Sequence, residues 1–272
     1  MSTQNWQGKR ILLTGATGSL GTETALALAK LGTELLLPVR SEAKGSTLKT
    51  LLTQAFPEGS FSFFQLDMSD ENSVRMLARQ ICSEDQPLDA IIHNAGVFTK
   101  AGLTSPQGHE WHQQVNALSP ILLTEALLPV LQLSQQPTVV TVTSLSAFWS
   151  KREDPGTGSP TALYAASKRK MLTETLHMSQ DHPMIRFVYA HPGVCATGLF
   201  AGTAQPTAYS RRFLQAALPL MRLLFPPPEK ACATTITALL EGENGQLAEP
   251  SGPLHIRGKA KLVPLTKRLR IL

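Results

Sequence analysis

Short apolar runs alternate, from one end of the chain to the other, with longer stretches in which apolar residues return every three or four positions. KRILLTG (9–15), TELLLPV (33–39), FSFFQLD (61–67), LDAIIHNAG (88–96), PTVVTVTS (137–144) and MIRFVYAHPG (184–193) have the length and the β-branched or aromatic content of strands. Between them, TETALALAKLG, EAKGSTLKTLLTQAF, SDENSVRMLARQI, QQVNALSPILLTEALLPVLQ and TALYAASKRKMLTETLHMSQ read as helices. The third of these opens on Ser69 or Asp70 as its N-cap. Residues 198–228 read as a helical lid that includes FLQAALPLMRLLF (213–225). PPPEKACATTITALLEG begins with prolines suited to a first helical turn, and GPLHIRG (252–258) reads as a last short strand.

Several of these strands are apolar without clean alternation, so both of their faces must be covered. That is the pattern of a parallel sheet with helices on each side. Repeated β–α units joined by right-handed crossovers give an α/β, doubly wound parallel sheet. No repeat or low-complexity linker divides the 272 residues, so the expectation is a single domain over 1–272.

Charge changes this picture only at the C-terminus. Arg257, Lys259, Lys261, Lys267, Arg268 and Arg270 carry the net charge of +5, and no acid follows Arg257. The segment 257–272 therefore reads as a solvated or subunit-facing basic tail. A nucleic-acid partner is not expected, and contact with an anionic membrane is the less favoured alternative. Cys82, Cys195 and Cys232 are scattered and odd in number, which argues for reduced thiols in a cytoplasmic setting and against a metal site. The N-terminus has no apolar signal core, and no run reaches the roughly 18 uncharged apolar residues of a membrane span.

The first candidate chemistry lies in TGATGSLG (14–21), between the first strand and the first helix. Gly15 would permit the tight turn, Gly18 a close approach of backbone to a pyrophosphate, and Gly21 close packing of helix on strand, as in a Rossmann-type dinucleotide site. At the end of the second strand, where a carboxylate would bind the ribose of NAD, the chain has Val39, Arg40 and Ser41. A guanidinium and a hydroxyl there favour the 2′-phosphate of NADP(H).

Taken together, TGATGSLG, LDMS (66–69), HNAG (93–96), VNALSP (115–120), VTSLS (142–146), YAASK (164–168) and HPGVCATGLF (191–200) resemble the short-chain dehydrogenase/reductase family. They look closest to its NADP-linked, retinol-dehydrogenase-like branch. The resemblance implies catalytic roles for Asn116, Ser144, Tyr164 and Lys168. Tyr164 would donate the proton in carbonyl reduction, Lys168 would assist it, Ser144 would bind the substrate oxygen and Asn116 would maintain a water-linked proton path. It implies a cofactor cleft lined by Gly15, Thr17, Gly18, Ser19, Leu20, Gly21, Arg40, Ser41, Asp67, Met68, Asn94, Ala95, Gly96, Tyr164, Lys168, Pro192, Gly193, Val194 and Thr197. It also implies a homo-oligomer, a dimer or tetramer, using helices 117–133 and 161–180.

The chain departs from the family pattern in three places. The middle glycine of the turn is Gly18 where Ser19 would be commoner, His93 replaces an asparagine as a packed strand-end residue, and Ser144 and Tyr164 lie 20 apart. The extra residues fall in the Gly- and Pro-rich stretch after Ser144, which can bulge outward. Ser146 is an alternative to Ser144.

Tyrosine and lysine four apart share a helix face. A free phenol titrates near 10, and the expectation is that the Lys168 ammonium lowers that value until Tyr164 exchanges protons. The function expected is NADP(H)-dependent interconversion of a carbonyl and an alcohol on a small apolar substrate. Phe148, Trp149, Leu199, Phe200, Tyr209, Phe213 and Leu214 are candidates for the pocket wall. The alternative is a non-catalytic dinucleotide-binding redox sensor.

Overall fold

The computed structural model describes residues 5–150, 153, 156–193 and 226–269. Eight strands lie in one sheet in the order β3-β2-β1-β4-β5-β6-β7-β8. They are β1 (Arg10–Leu13), β2 (Glu34–Val39), β3 (Phe61–Gln65), β4 (Ala90–His93), β5 (Thr138–Val142), β6 (Arg186–Ala190), β7 (Gln246–Pro250) and β8 (Ala260–Pro264). All pairings are parallel except β7 with β8. The helices are α1 (Ser19–Lys30), α2 (Glu42–Ala55), α3 (Glu71–Cys82), α4 (Trp111–Gln113), α5 (Ser119–Leu131), α6 (Pro160–Asp181), α7 (Pro228–Ala231), α8 (Ala233–Glu241) and α9 (Leu265–Leu269).

The strand period of two is present but hidden in the sequence, because both faces are apolar. Ile11, Leu13, Leu35, Val140, Val188 and Ala248 meet α1, α2 and α8 on one face. Leu12, Leu36, Ile91, Val139 and Phe187 meet α3, α5 and α6 on the other. Val74, Leu77, Ala78 and Ile81 form the buried stripe of α3, whose N-cap is Asp70. Trp111–Leu131 is long and apolar enough to cross a membrane, yet most of it is buried in the protein. Its apolarity serves the core.

A widened π-helical segment, Gln114–Leu118, joins α4 to α5. Ser105 donates to the Gln114 amide, which donates to Ser119, and Ser119 donates to the Met68 carbonyl at 2.7 Å. This chain ties the start of α5 to the loop after β3.

Two expectations for the C-terminus are corrected. Residues 252–258 are not a strand: Pro253–His255 is a short 3-10 turn between β7 and β8, which form an antiparallel hairpin. Pro250 and Pro264 obscured these strands in the sequence. Each sits at the end of its strand, where a missing N–H is tolerated. The described part of the basic tail is not a solvated appendage either. Glu249 is buried, and Arg268 donates to both of its carboxylate oxygens at 2.8 and 2.6 Å. Lys261 lies 3.5 Å and His255 3.3 Å from the same carboxylate. A buried acid needs counter-charge, and the tail supplies it.

Of the lid assigned to 198–228, residues 198–225 lie outside the described residues, as do Val194, Cys195 and Thr197. Leu199, Phe200, Tyr209, Phe213 and Leu214 lie outside them too.

Candidate active site

The strand order reverses between β1 and β4, and the crevice beyond their carboxyl ends is where a doubly wound sheet binds ligands. A cleft of about 630 Å³ opens there. It is walled by the turn after β1, the ends of β2 and β3, the segment after β4, the end of β5, the start of α6, and Pro192 with Gly193 after β6.

The turn after β1 shows what each glycine is for. Gly15 has φ +69°, and a Cβ there would lie 2.7 Å from the Ala95 backbone. A Cβ on Gly21 would lie 2.1 Å from the Gly15 carbonyl oxygen. Both are required by the protein itself. Gly18 is different: its Cβ would meet only the Gly15 oxygen, at 3.4 Å, so the fold has room for a side chain. Among the described residues nothing in the fold itself demands glycine there. Asn94 secures the turn by donating to the carbonyls of Thr14 and Gly15 at 3.1 and 3.2 Å. The Thr14 hydroxyl accepts from the backbones of Asn94 and Ala95. Helix α1 has no side-chain cap and no acid in its first turn, which leaves its N-terminal amides for an anion. Thr17, Ser19 and Leu20 complete this wall.

Arg40 is exposed at the end of β2 and lines the cleft together with Lys44. Arg40 precedes the N-cap of α2 and Lys44 lies in its first turn, a second cation the sequence motifs did not mark. Ser41 is the N-cap of α2, accepting from Lys44 N at 3.4 Å, and is not part of the cleft wall. Asp67 accepts from the backbone and hydroxyl of Ser69 at 2.9 and 2.7 Å, and it lines the cleft with Met68. Ala95 and Gly96 line its inner wall. Gly193 has φ +82°, and a Cβ there would lie 2.2 Å from the Ile256 carbonyl oxygen, so this glycine is required for packing against the 3-10 turn.

Ser144, Tyr164 and Lys168 reach the cleft together despite the longer loop between them. The Ser144 side chain lies beside the Tyr164 hydroxyl and opposes the rise of its pKa. Ser146 is no stand-in: its hydroxyl donates to Ser144 Oγ at 3.0 Å, and it supports Ser144 from behind. Phe148 is buried among Leu172, Tyr189, Leu247 and Leu265, whereas Trp149 is 70% exposed.

The electrostatics differ from the sequence expectation. Burial pushes the Tyr164 phenol up to about 12, against the opposing hydrogen bond of Ser144. Burial also brings Lys168 down to about 8, and its ammonium donates to the Val142 carbonyl at 3.2 Å. Desolvation outweighs the contribution of Ser144, so the phenol stands above its usual value and not below it. His93 is the packed strand-end residue expected: its Nε2 lies 2.6 Å from Thr124 Oγ1, and burial, reinforced by Lys168, lowers it to about 3.

Asn116 sits in the π segment and is fully buried. Its amide accepts from Val97 N at 2.8 Å and donates to Val97 O and Ser167 Oγ, both at 3.0 Å. It clamps the segment after β4 and does not line the cleft wall. The pattern search also passed over a cluster around Tyr164. Phe98 lies 5.4 Å and His112 6.5 Å from its ring, at interplanar angles of 74° and 77°. Such edge-on contacts contribute about 0.5–1.5 kcal/mol each beyond burial.

A doubly wound sheet with a glycine turn, an uncapped first helix and a serine–tyrosine–lysine group in one crevice defines a dinucleotide-binding oxidoreductase fold. The family model of short chain dehydrogenases matches residues 9–207, and the chain belongs to that family. It is 29% identical to the polyprenol dehydrogenase of Mus musculus over 280 residues, covering 96% of this chain and 82% of that protein. It is 34% identical to the retinol dehydrogenase 11 of Homo sapiens over 145 residues, covering 53% of this chain and 46% of that one. Among solved structures, the short chain dehydrogenase/reductase of Burkholderia phymatum in complex with NAD superposes with a TM-score of 0.68 at 20% identity, covering 89% of each chain. A short chain dehydrogenase from Burkholderia cenocepacia J2315 in complex with NADP gives 0.66 at 20% identity, covering 88% of this chain and 93% of that one. These two likenesses show the fold, and a nicotinamide dinucleotide is the cofactor class of such neighbours.

Proposed function

We propose that the chain is an NADP(H)-dependent oxidoreductase that interconverts a carbonyl and an alcohol on a small apolar molecule, with Tyr164 as the proton donor and acceptor. The observation that carries this reading is the convergence of Ser144, Tyr164 and Lys168 in the crevice. The residues fit the cofactor class: Gly18 leaves open space at the turn, and α1 offers its amides. Arg40 and Lys44 favour a 2′-phosphate, since no acid stands at Val39, Arg40 or Ser41.

When bound, a reduced nicotinamide supplies hydride to the carbonyl carbon. The C=O π bond breaks as the new C–H bond forms, and charge develops on oxygen. Ser144 Oγ donates a hydrogen bond to that oxygen, and Tyr164 gives up its phenolic proton to it, completing the alcohol. A phenol near 12 is a proton donor at rest. Lys168 lines the same crevice, and its ammonium would supply the positive charge that offsets the phenolate formed as that proton leaves. Oxidation runs the same transfers backwards. The printed names of the relatives, polyprenol dehydrogenase and retinol dehydrogenase 11, support an apolar alcohol or aldehyde.

The test is NADPH consumption with apolar aldehydes and ketones, using wild type and Tyr164→Phe. The variant should bind NADPH and lose about 100-fold or more in kcat. Tight cofactor binding with no turnover by the wild type across a broad panel would favour the redox sensor.

A further inference from the structure

A glutamate–histidine pair stands beside Tyr164 outside the serine–tyrosine–lysine group, with His112 buried against the Tyr164 ring. Glu110 is the N-cap of α4, and its Oε2 accepts from Gln113 N at 2.9 Å. Capping alone needs only a short Ser or Asp. The longer glutamate also places Oε1 2.7 Å from His112 Nδ1. His112 is fully buried, and its Nε2 accepts from the backbone N–H of Thr99 at 3.1 Å. A ring nitrogen that accepts from an N–H carries no proton of its own, so the proton is on Nδ1 and is donated to Glu110. The ring is thus fixed at both nitrogens.

Thr99 ends the segment 94–99, which walls the inner cleft up to Val97. Asn94 holds this segment at one end, Asn116 clamps it at Val97, and His112 holds it at Thr99. Phe98 lies between the last two anchors. Its ring centroid is 6.1 Å from that of His112 and 5.4 Å from that of Tyr164. With the 6.5 Å contact between His112 and Tyr164, the three rings close a triangle of mutually edge-on pairs.

Tyr164 needs such support. The α6 backbone fixes its root and Ser144 its hydroxyl, but rotation of the ring about the axis joining them is a broad, two-fold torsion. We propose that Glu110 and His112 are positioning residues: they hold Phe98 and the His112 ring against Tyr164 and so fix the plane of the phenol. The catalytic consequence rests on the acid–base role proposed for Tyr164.

The primary experiment reads the ring itself and needs no substrate. The chain has three tyrosines, so NMR of protein labelled at tyrosine is sparse, and Tyr164→Phe assigns the signal. The wild-type Tyr164 ring should flip slowly and show separate resonances for its two edges. His112→Phe, which keeps a ring but discards both hydrogen bonds, should average them. Phe98→Leu should do the same, and it carries the test if His112→Phe fails to fold. Glu110→Ala should average the resonances too, whereas Glu110→Gln, which keeps an acceptor for His112, should restore two.

In turnover, His112→Phe should lower kcat about 10- to 100-fold, as misplacement of a reacting group does, with the Kd for NADPH within about two-fold of wild type. Added to Tyr164→Phe, it should cost nothing further. Ring flipping unchanged in both His112→Phe and Phe98→Leu overturns the positioning role, whatever Tyr164 does. Ring flipping that changes as expected while Tyr164→Phe retains wild-type kcat overturns the acid–base reading instead.

Discussion

Gly18 and Gly21 stand three residues apart in one turn, yet alanine should act on them by different routes. At Gly21 the new Cβ would lie 2.1 Å from the Gly15 oxygen and 2.8 Å from Asn94 Nδ2, so helix and turn must separate. Overpacking of this kind costs about 1–3 kcal/mol. For a chain of this size that lowers Tm by roughly 2–10 °C. It also displaces the Asn94 amide from the Thr14 and Gly15 carbonyls.

At Gly18 the backbone has φ −81° and ψ 160°, open to any residue, and the nearest atom lies at ordinary contact distance. Alanine is a poorer N-cap than glycine, but it restricts the unfolded chain. These opposing effects, each about 0.5–1 kcal/mol, leave Tm nearly unchanged. The added methyl instead occupies the space through which a pyrophosphate approaches. A clash of about 2–3 kcal/mol there weakens NADPH binding roughly 30- to 150-fold. Calorimetry gives Tm and fluorescence titration gives Kd for both variants. Wild-type affinity in Gly18→Ala would refute the reasoning, because the glycine would then have no ligand to serve.

Other consequences are as direct. Arg268→Leu strips the bidentate partner from buried Glu249 and should cost about 3 kcal/mol, read by urea unfolding; a change below about 0.5 kcal/mol would mean the tail is a surface appendage after all. Arg40→Asp should lower the preference for NADPH over NADH about 100-fold, measured as a ratio of kcat/KM values, and an unchanged ratio would remove Arg40 from 2′-phosphate recognition. His93, at about 3, and His191, lowered to about 4 by burial against the opposing Glu249, both titrate below the ordinary 6.5. The unfolded chain therefore binds the protons that the fold excludes. Stability is complete above about 6.5 and declines as pH falls toward 4, by about 1.4 kcal/mol per unit for each histidine. His191→Phe should flatten that slope in unfolding series from neutral to acid pH, and an unaltered slope would count against it.

The first six strands and their helices were legible because they follow local rules: apolar runs, capped helix starts and glycine at positive φ. Many of the residues lining the cleft were legible for the same reason, since their motifs fall at strand ends that the topology brings together, whereas Ser41 and Asn116 do not line it. The β7–β8 hairpin was not legible, because its strand-end prolines read as turns and its stability comes from Glu249, whose partners His255, Lys261 and Arg268 lie outside its own strand. The sign of the Tyr164 shift was missed because desolvation depends on what covers a residue, which spacing on one helix does not reveal. The Glu110–His112 pair left only a faint trace, an acid at a helix start. Its meaning came from Thr99 and Phe98 on another segment.

The widened segment Gln114–Leu118 has an implication for how this chain tolerates insertion and deletion. One residue removed there would let the helix run as regular α, with the side chains beyond it kept on the same faces, because a π turn takes up one residue more than an α turn. Leu123 and Leu127 would still face the sheet, but Asn116 would lose its place in the wide turn and with it its hold on Val97. Loops elsewhere on the surface can lengthen or shorten freely, whereas here the count of residues is itself under constraint.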